Sequence, residues 1–399
     1  MSHANANNVT PPASDAAIGA GGSPPILLTA ATVLGAIGVA ASYVAVSQER
    51  FWINWIYWFV VLFTVGIGSL FIVALQHLVS ARWSIPIRRV PERLATLLLP
   101  ATPAALIGLL AVRVLYPGAK PEALQNKLLA GKAFWLDLPF FSARTIVVLA
   151  ASLIALAILV RGSMRQDTTK DPLFSLLARK FSPLFMVMFA FIVTFVAFDW
   201  IGGLVPEWYS DILGVYLFAG AFLSALASTT LVTLFLKARH RLTEVRGDHL
   251  YNLGGFTFAF TVFWSYIAFA QYMLMWYADL PEEVHWYHER LHGGWHPLTI
   301  ILAIIHFVVP FFALSTRDAK SDPKRLARVG LLMLGAHLLD VYWLLFPILG
   351  HGPVFSWPEL SFALLFLGIG LLWVHRALRW GADMPIGDPF LREGLEFRL

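Results

Sequence analysis

YNLGGFTFAFTVFWSYIAFAQYMLMWYADLPEE, residues 251–283, decides the class of fold. From Thr257 to Trp276 it carries no charge, and ~20 such residues cross the hydrocarbon of a bilayer. The run is nevertheless not uniformly apolar. Thr257, Thr261 and Ser265 recur every four residues and so share one helical face. Tyr266, Gln271 and Tyr272 add groups that must find partners in a medium without water. Two readings account for them: hydrogen bonds that glue one helix to the next, and a path for protons or quinol along the helix.

The whole chain repeats this character. Of 399 residues, 58% are hydrophobic and 13% charged, whereas soluble domains carry ~25% charged residues. Mean hydropathy is +0.70. These values specify an all-α polytopic membrane protein. Cysteine is absent, which excludes disulfides, Cys-ligated iron–sulfur clusters and Cys-only zinc sites on this chain.

Residues 1–25 are rich in Ala, Asn, Gly, Ser and Pro and hold no Lys or Arg. They read as a disordered tail lacking the basic start of a signal peptide, so the first helix is expected to be retained. Ten apolar runs follow, near 26–46, 55–79, 94–115, 143–161, 183–201, 211–236, 252–278, 298–316, 326–347 and 355–375. They make one transmembrane domain over 26–376, with a tail at 377–399. Pro100 and Pro103 predict a kink in the third run.

Lys and Arg are distributed by side. The N-terminal tail, 80–93, 161–182, 237–251, 317–328 and 376–399 together hold 22, and the alternate connections hold 5. The positive-inside rule then predicts both termini in the cytoplasm, the chain crossing its membrane ten times. The short basic connections RRVPER and RDAKSDPKR are expected to face anionic lipid headgroups. The opposite loops are aromatic and acidic. The one at 278–297 holds His288, His292 and His296 four residues apart. Gly293 and Gly294 oppose an unbroken helix through them, so a wet, Trp-rich interfacial loop is favoured over a metal site, and no metal is assigned.

Ionisable groups inside spans are costly and therefore functional candidates. His337 and Asp340 lie three apart in the ninth run and share a face. They read as a neutral hydrogen-bonded pair or a pair that passes a proton. His306 is central in the eighth, and Pro310, four residues on, frees its carbonyl. Asp199 lies near the outer end of the fifth, and His77 near the inner end of the second. Arg144 is expected to pair with Asp137 or another carboxylate. With Tyr266 and Gln271 these groups fall in layers that suit two half-channels meeting at a buried His or Asp. Each helix offers one central His at most, which argues against a bis-His haem on this chain. Small residues before a basic loop recur in runs two and six, so a parallel repeat of four-helix units, 2–5 and 6–9, is expected, with helices 1 and 10 peripheral.

GSLFIVALQHLVSARWSIPIRRVPE, FAFTVFWSYIAFAQYMLMWYADLPEE, and HFVVPFFALSTRDAK with LDVYWLLFP occur in that order. They resemble the ActF-type membrane subunit of the bacterial alternative complex III, in the NrfD/PsrC-like superfamily, over about residues 26–380. The resemblance implies ten helices with two four-helix bundles. It implies a respiratory or photosynthetic complex that oxidises menaquinol or ubiquinol and reduces a periplasmic cytochrome c or similar acceptor. Partner subunits would carry the haems c and iron–sulfur clusters: a homologous NrfD-like subunit, an iron–sulfur subunit and multihaem cytochromes. This chain would supply a proton path, with Asp199, Tyr266, Gln271, His306, His337, Asp340 and His77 as candidates. Asp199 and His306 are the candidates for a secondary quinone site. No residue is assigned catalysis, and no cofactor is expected on this chain alone. A secondary transporter and a purely structural anchor are the alternatives.

Overall fold

Capping chemistry sets where several helices begin. The Ser47 hydroxyl accepts from the Arg50 amide at 3.3 Å, and the Asp322 carboxylate accepts from the Lys324 amide at 3.1 Å just before Pro323. At Ser356, the Glu359 side chain returns to accept from the Ser356 amide at 2.8 Å, closing a capping box. The resulting architecture comes from a computed structural model, which describes residues 25–120, 127–350 and 352–399. The expected N-terminal tail lies almost entirely outside the described residues.

Among the described residues, ten helices are long and apolar enough to cross a membrane: α1 Ile26–Ala45, α2 Gln48–Leu78, α3 Arg89–Leu115, α4 Leu138–Thr169, α5 Leu173–Leu204, α6 Leu213–Ala238, α7 Gly247–Ala278, α8 Trp295–Ala313, α9 Pro323–Leu349 and α10 Trp357–Ala377. No strand occurs among the described residues. The helices overrun the apolar stretches that reveal them. The loop expected over 161–182 shrinks to the turn between Thr169 and Leu173. A helix satisfies its own backbone as well beyond the hydrocarbon as within it, so loss of hydrophobicity does not end it. The α3 kink falls at Thr96–Leu97, between Arg89–Ala95 and Leu98–Gly108. Thr96 is four residues before Pro100, the carbonyl with which the proline ring collides.

The helices α2–α5 form one bundle and α6–α9 a second, with α1 packed against α10 at the side. The bundles share a seam in which α2 lies along α6. Gly68 sets that seam, because a Cβ there would stand 2.2 Å from the Ala221 carbonyl oxygen. Gly68→Val is therefore expected to force α2 and α6 apart and cost about 1–3 kcal/mol as overpacking does. Thermal unfolding of the purified chain in detergent, with an unchanged midpoint as the contrary result, checks this.

Ten crossings return the chain to its starting side. That side holds 22 of the Lys and Arg residues and is called the basic face below. Here the segment after α10 is a packed strap. Arg93 donates to Asp383 at 2.9 Å and to the carbonyls of Trp380 and Ala382. Arg241 also binds Asp383, and Arg88 pairs with Asp388. Arg89 bridges Glu92 at 2.6 Å and Asp167 at 2.5 Å. The expectation that RRVPER faces lipid headgroups is thus corrected: Arg88, Arg89 and Arg93 are buried, because carboxylates from α4 and the strap reach them. In RDAKSDPKR, Arg317, Lys324 and Arg325 stay exposed.

The opposite face also departs from a wet loop. Pro281–Leu291 is a helix, and Trp286 stacks on Trp208 with centroids 4.4 Å apart. Buried Arg290 lies 3.4 Å from the Trp286 ring and donates to the carbonyls of Trp343 and Leu344. A guanidinium is well suited to close the negative end of α9 in this way. His288 and His292 stack at 3.9 Å, but Gly293 at φ +57 turns the chain before His296. Among the described residues, no group of three metal-binding side chains comes together.

Candidate functional site

The polar centre of the second bundle is built on α9. His337 and Asp340, one turn apart, are both 2% exposed. The first helix of the bundle supplies Tyr216, whose hydroxyl donates to Asp340 Oδ1 in a short hydrogen bond. The second supplies Trp264, whose Nε1–H donates to Asp340 Oδ2 at 3.2 Å. The third supplies His306, stacked on the Trp264 ring with centroids 3.7 Å apart. From the first bundle, Thr64 reaches across the seam, its Oγ1 2.9 Å from His337 Nε2.

These contacts favour one assignment of protons. The Thr64 hydroxyl proton is engaged by the Val60 carbonyl at 2.8 Å, so toward His337 the oxygen serves as acceptor. With Nε2 as the donor to Thr64, the His337 lone pair lies on Nδ1, which has no hydrogen-bond partner among the described residues. Gly220 faces this gap: a Cβ there would lie 3.4 Å from His337 Nδ1 and 3.6 Å from Asp340 Oδ2. Asp340 is held by neutral donors only, with no ion pair to any described residue. An acid and a basic nitrogen therefore flank one small gap.

His306 sits in a π-helical turn, Ile304–Val308. The backbone distortion falls where Pro310 withdraws its amide. Both ring nitrogens of His306 are buried with no hydrogen-bond partner among the described residues.

Asp199 shows the contrasting arrangement. It too lies in a π-helical turn, Ala197–Ile201, in the last helix of its bundle. Its carboxylate receives Arg144 Nε at 2.9 Å and Nη2 at 2.8 Å, and Trp135 Nε1–H at 3.0 Å. The partner of Arg144 is thus Asp199, not Asp137. The ion pair is bidentate, and Asp199 belongs to a separate centre from Asp340.

The remaining candidates divide. Gln271 is buried two turns beyond Trp264, and its Oε1 has no hydrogen-bond partner among the described residues. Tyr266 is corrected: at 65% exposure it points away from Asp340. His77 is buried near Arg88 at the basic face, its Nε2 unpartnered. Between it and Thr64, the hydroxyls of Ser224 and Ser228 bond back to their own helix. The structure therefore joins Asp340, His337 and His306 in one centre and leaves Tyr266, Asp199 and His77 outside it. Tyr216, Trp264 and Thr64 were not singled out from the sequence. In apolar helices their residue types are indistinguishable from packing.

Beside the centre lies a cavity of about 560 Å³ between α7 and α8, with Tyr216 and Trp264 in its wall. Neither Asp199 nor His306 is among the residues that line it. His306 lies behind the Trp264 ring. Scans against protein-family models and against curated proteins return no match for this chain.

Proposed function

We propose that this chain is a proton-handling membrane subunit of a quinol-oxidising complex of the alternative complex III type. In this reading it lies in a bacterial inner membrane with its basic face in the cytoplasm. The observation that carries it is Asp340, a buried acid bonded to Tyr216 and Trp264 with His337 one turn away and no cation beside it. Such a set is costly in hydrocarbon and is poorly explained as glue. The 22-to-5 split of Lys and Arg supports the orientation. The chain has no Cys, so electron carriers would belong to partner subunits holding haem c and iron–sulfur clusters.

A scaffold reading has one observation behind it: serine hydroxyls along α6 close on their own backbone and form no wire. Purification from native membranes separates the readings by partner. The expected result is co-purification with a homologous membrane subunit, an iron–sulfur protein and multihaem cytochromes, with quinol:cytochrome c reductase activity. A chain that purifies alone, with neither haem nor iron, contradicts the assignment.

A further inference from the structure

We infer that the basic-face end of α2 carries a site for the phosphate of an anionic membrane lipid. The oxyanion enters a polar cavity beside His77, and an acyl chain lies in an apolar groove next to it. Neither part depends on the role given to Asp340.

The polar cavity holds about 50 Å³, space for ~3–5 water-sized groups. A tetrahedral oxyanion fits that space and a whole headgroup does not. Gln76 and His77, near the end of α2, stand in its wall and are 7% and 8% exposed. Gln76 Oε1 and His77 Nε2 are buried with no hydrogen-bond partner among the described residues. An anion there draws the imidazole proton to Nε2, and a half-turn of the Gln76 amide brings its –NH₂ to the same space. Ser80, at φ +52 just past the helix end, adds a hydroxyl. Arg82, Arg88 and Arg179 also line the cavity, and guanidiniums make strong charge-assisted bonds to phosphate. Asp388 is the one carboxylate in the wall, and Arg88 engages it. Glu92 lies 3.5 Å from Arg88, and Glu393 binds Arg82 at 3.1 Å. Arg179 is exposed, and no carboxylate pairs with it among the described residues. It is the cation left over for a ligand. A second space of about 50 Å³ shares Gln76 and Ala81 with the first. The rest of its wall is apolar, and Trp83 stacks there on Phe256 with centroids 6.0 Å apart. Val79, in the same wall, is 61% exposed, so the groove is reached from the bilayer. Free phosphate gains nothing from such a groove, whereas an acyl chain does. The amine of a zwitterionic headgroup meets only engaged carboxylates, which favours a net anion. Basic pockets between spans are a recurrent way of holding anionic headgroups.

Native mass spectrometry of the full chain, delipidated in detergent and then given phosphatidylglycerol, phosphatidylethanolamine or inorganic phosphate, tests this. A single phosphatidylglycerol is expected to stay bound, and phosphatidylethanolamine to bind about fivefold more weakly. Arg179→Gln removes the unpaired cation. Ser80→Gly removes the hydroxyl, and glycine takes the positive φ without strain. Each is expected to weaken lipid binding about fivefold. Arg325→Gln removes the same charge from an exposed arginine of the same face outside the cavity, and is expected to leave binding unchanged. The wild-type elution profile and circular dichroism show that each variant is folded. Wild-type binding in both cavity variants, or an equal loss in Arg325→Gln, overturns the site and leaves a general attraction of lipid to the basic face. Equal binding of phosphatidylethanolamine overturns the anionic headgroup. Inorganic phosphate, matched in ionic strength by chloride, is expected to leave the lipid in place. Displacement by phosphate but not by chloride, lost in Arg179→Gln, supports the oxyanion cavity and overturns the lipid as its source.

Discussion

Asp340→Asn is expected to lower proton transfer coupled to quinol oxidation roughly 100-fold, the lower end of what a positioned acid–base group contributes, with the complex still assembled. The substitution keeps the volume and one acceptor. It removes the exchangeable carboxyl proton and turns an –NH₂ toward groups that are both donors, Tyr216 and Trp264. A single mismatched hydrogen bond of this kind costs about 1–3 kcal/mol, which a multi-helix assembly tolerates. The measurement is proton release or uptake by proteoliposomes of the purified complex, with quinol and cytochrome c supplied. Tyr216→Phe is the companion variant. It leaves the acid in place, removes one of its two donors, and should produce a smaller loss. Normal turnover and stoichiometry in Asp340→Asn would falsify the role given to this residue.

Arg144→Met is expected to be the most destabilising single change near the opposite face. Arg144 and Asp199 are 7% and 2% exposed. Removing the cation leaves a carboxylate buried with Trp135 alone, and breaking such a pair costs about 3–5 kcal/mol. The double variant Arg144→Met, Asp199→Leu should recover most of that loss, since apolar replacement of a whole buried pair is often neutral. Melting temperatures of the two variants in detergent decide the matter. A double variant no better than the single one would show that Asp199 carries more than the charge of Arg144. If the double variant is stable and turns over normally, Asp199 leaves the set of proton-path candidates.

The spans were legible because hydropathy is local. The α3 kink at Thr96 and the distortion around His306 were legible because a proline acts on the carbonyl four residues before it. Tyr266 misled for a reason that lies in the helix itself. Trp264, Ile267, Gln271 and Met275 form the buried stripe of α7, and Tyr266 is two residues from Trp264, ~200° around the axis. Nothing in one sequence identifies Trp264 as the marker of the inner face. The arginines of RRVPER misled through distance along the chain. Exposed basic loops are common next to membranes, and the acids that bury these three lie as far as 300 residues away. Tyr216 carried no signal at all, because a tyrosine in LGVYLFAG looks like any packing aromatic.

The strap across the basic face has a consequence for how the chain is made. Arg93 is synthesised 290 residues before Asp383, and Arg88 300 residues before Asp388. Arg88 has the nearby Glu92 from the start, but Arg93 stays without its carboxylate until the strap has been made. Insertion and completion are thus separate events. A chain halted within α10 lacks the strap altogether, so Arg93 has no carboxylate with which to close the basic face.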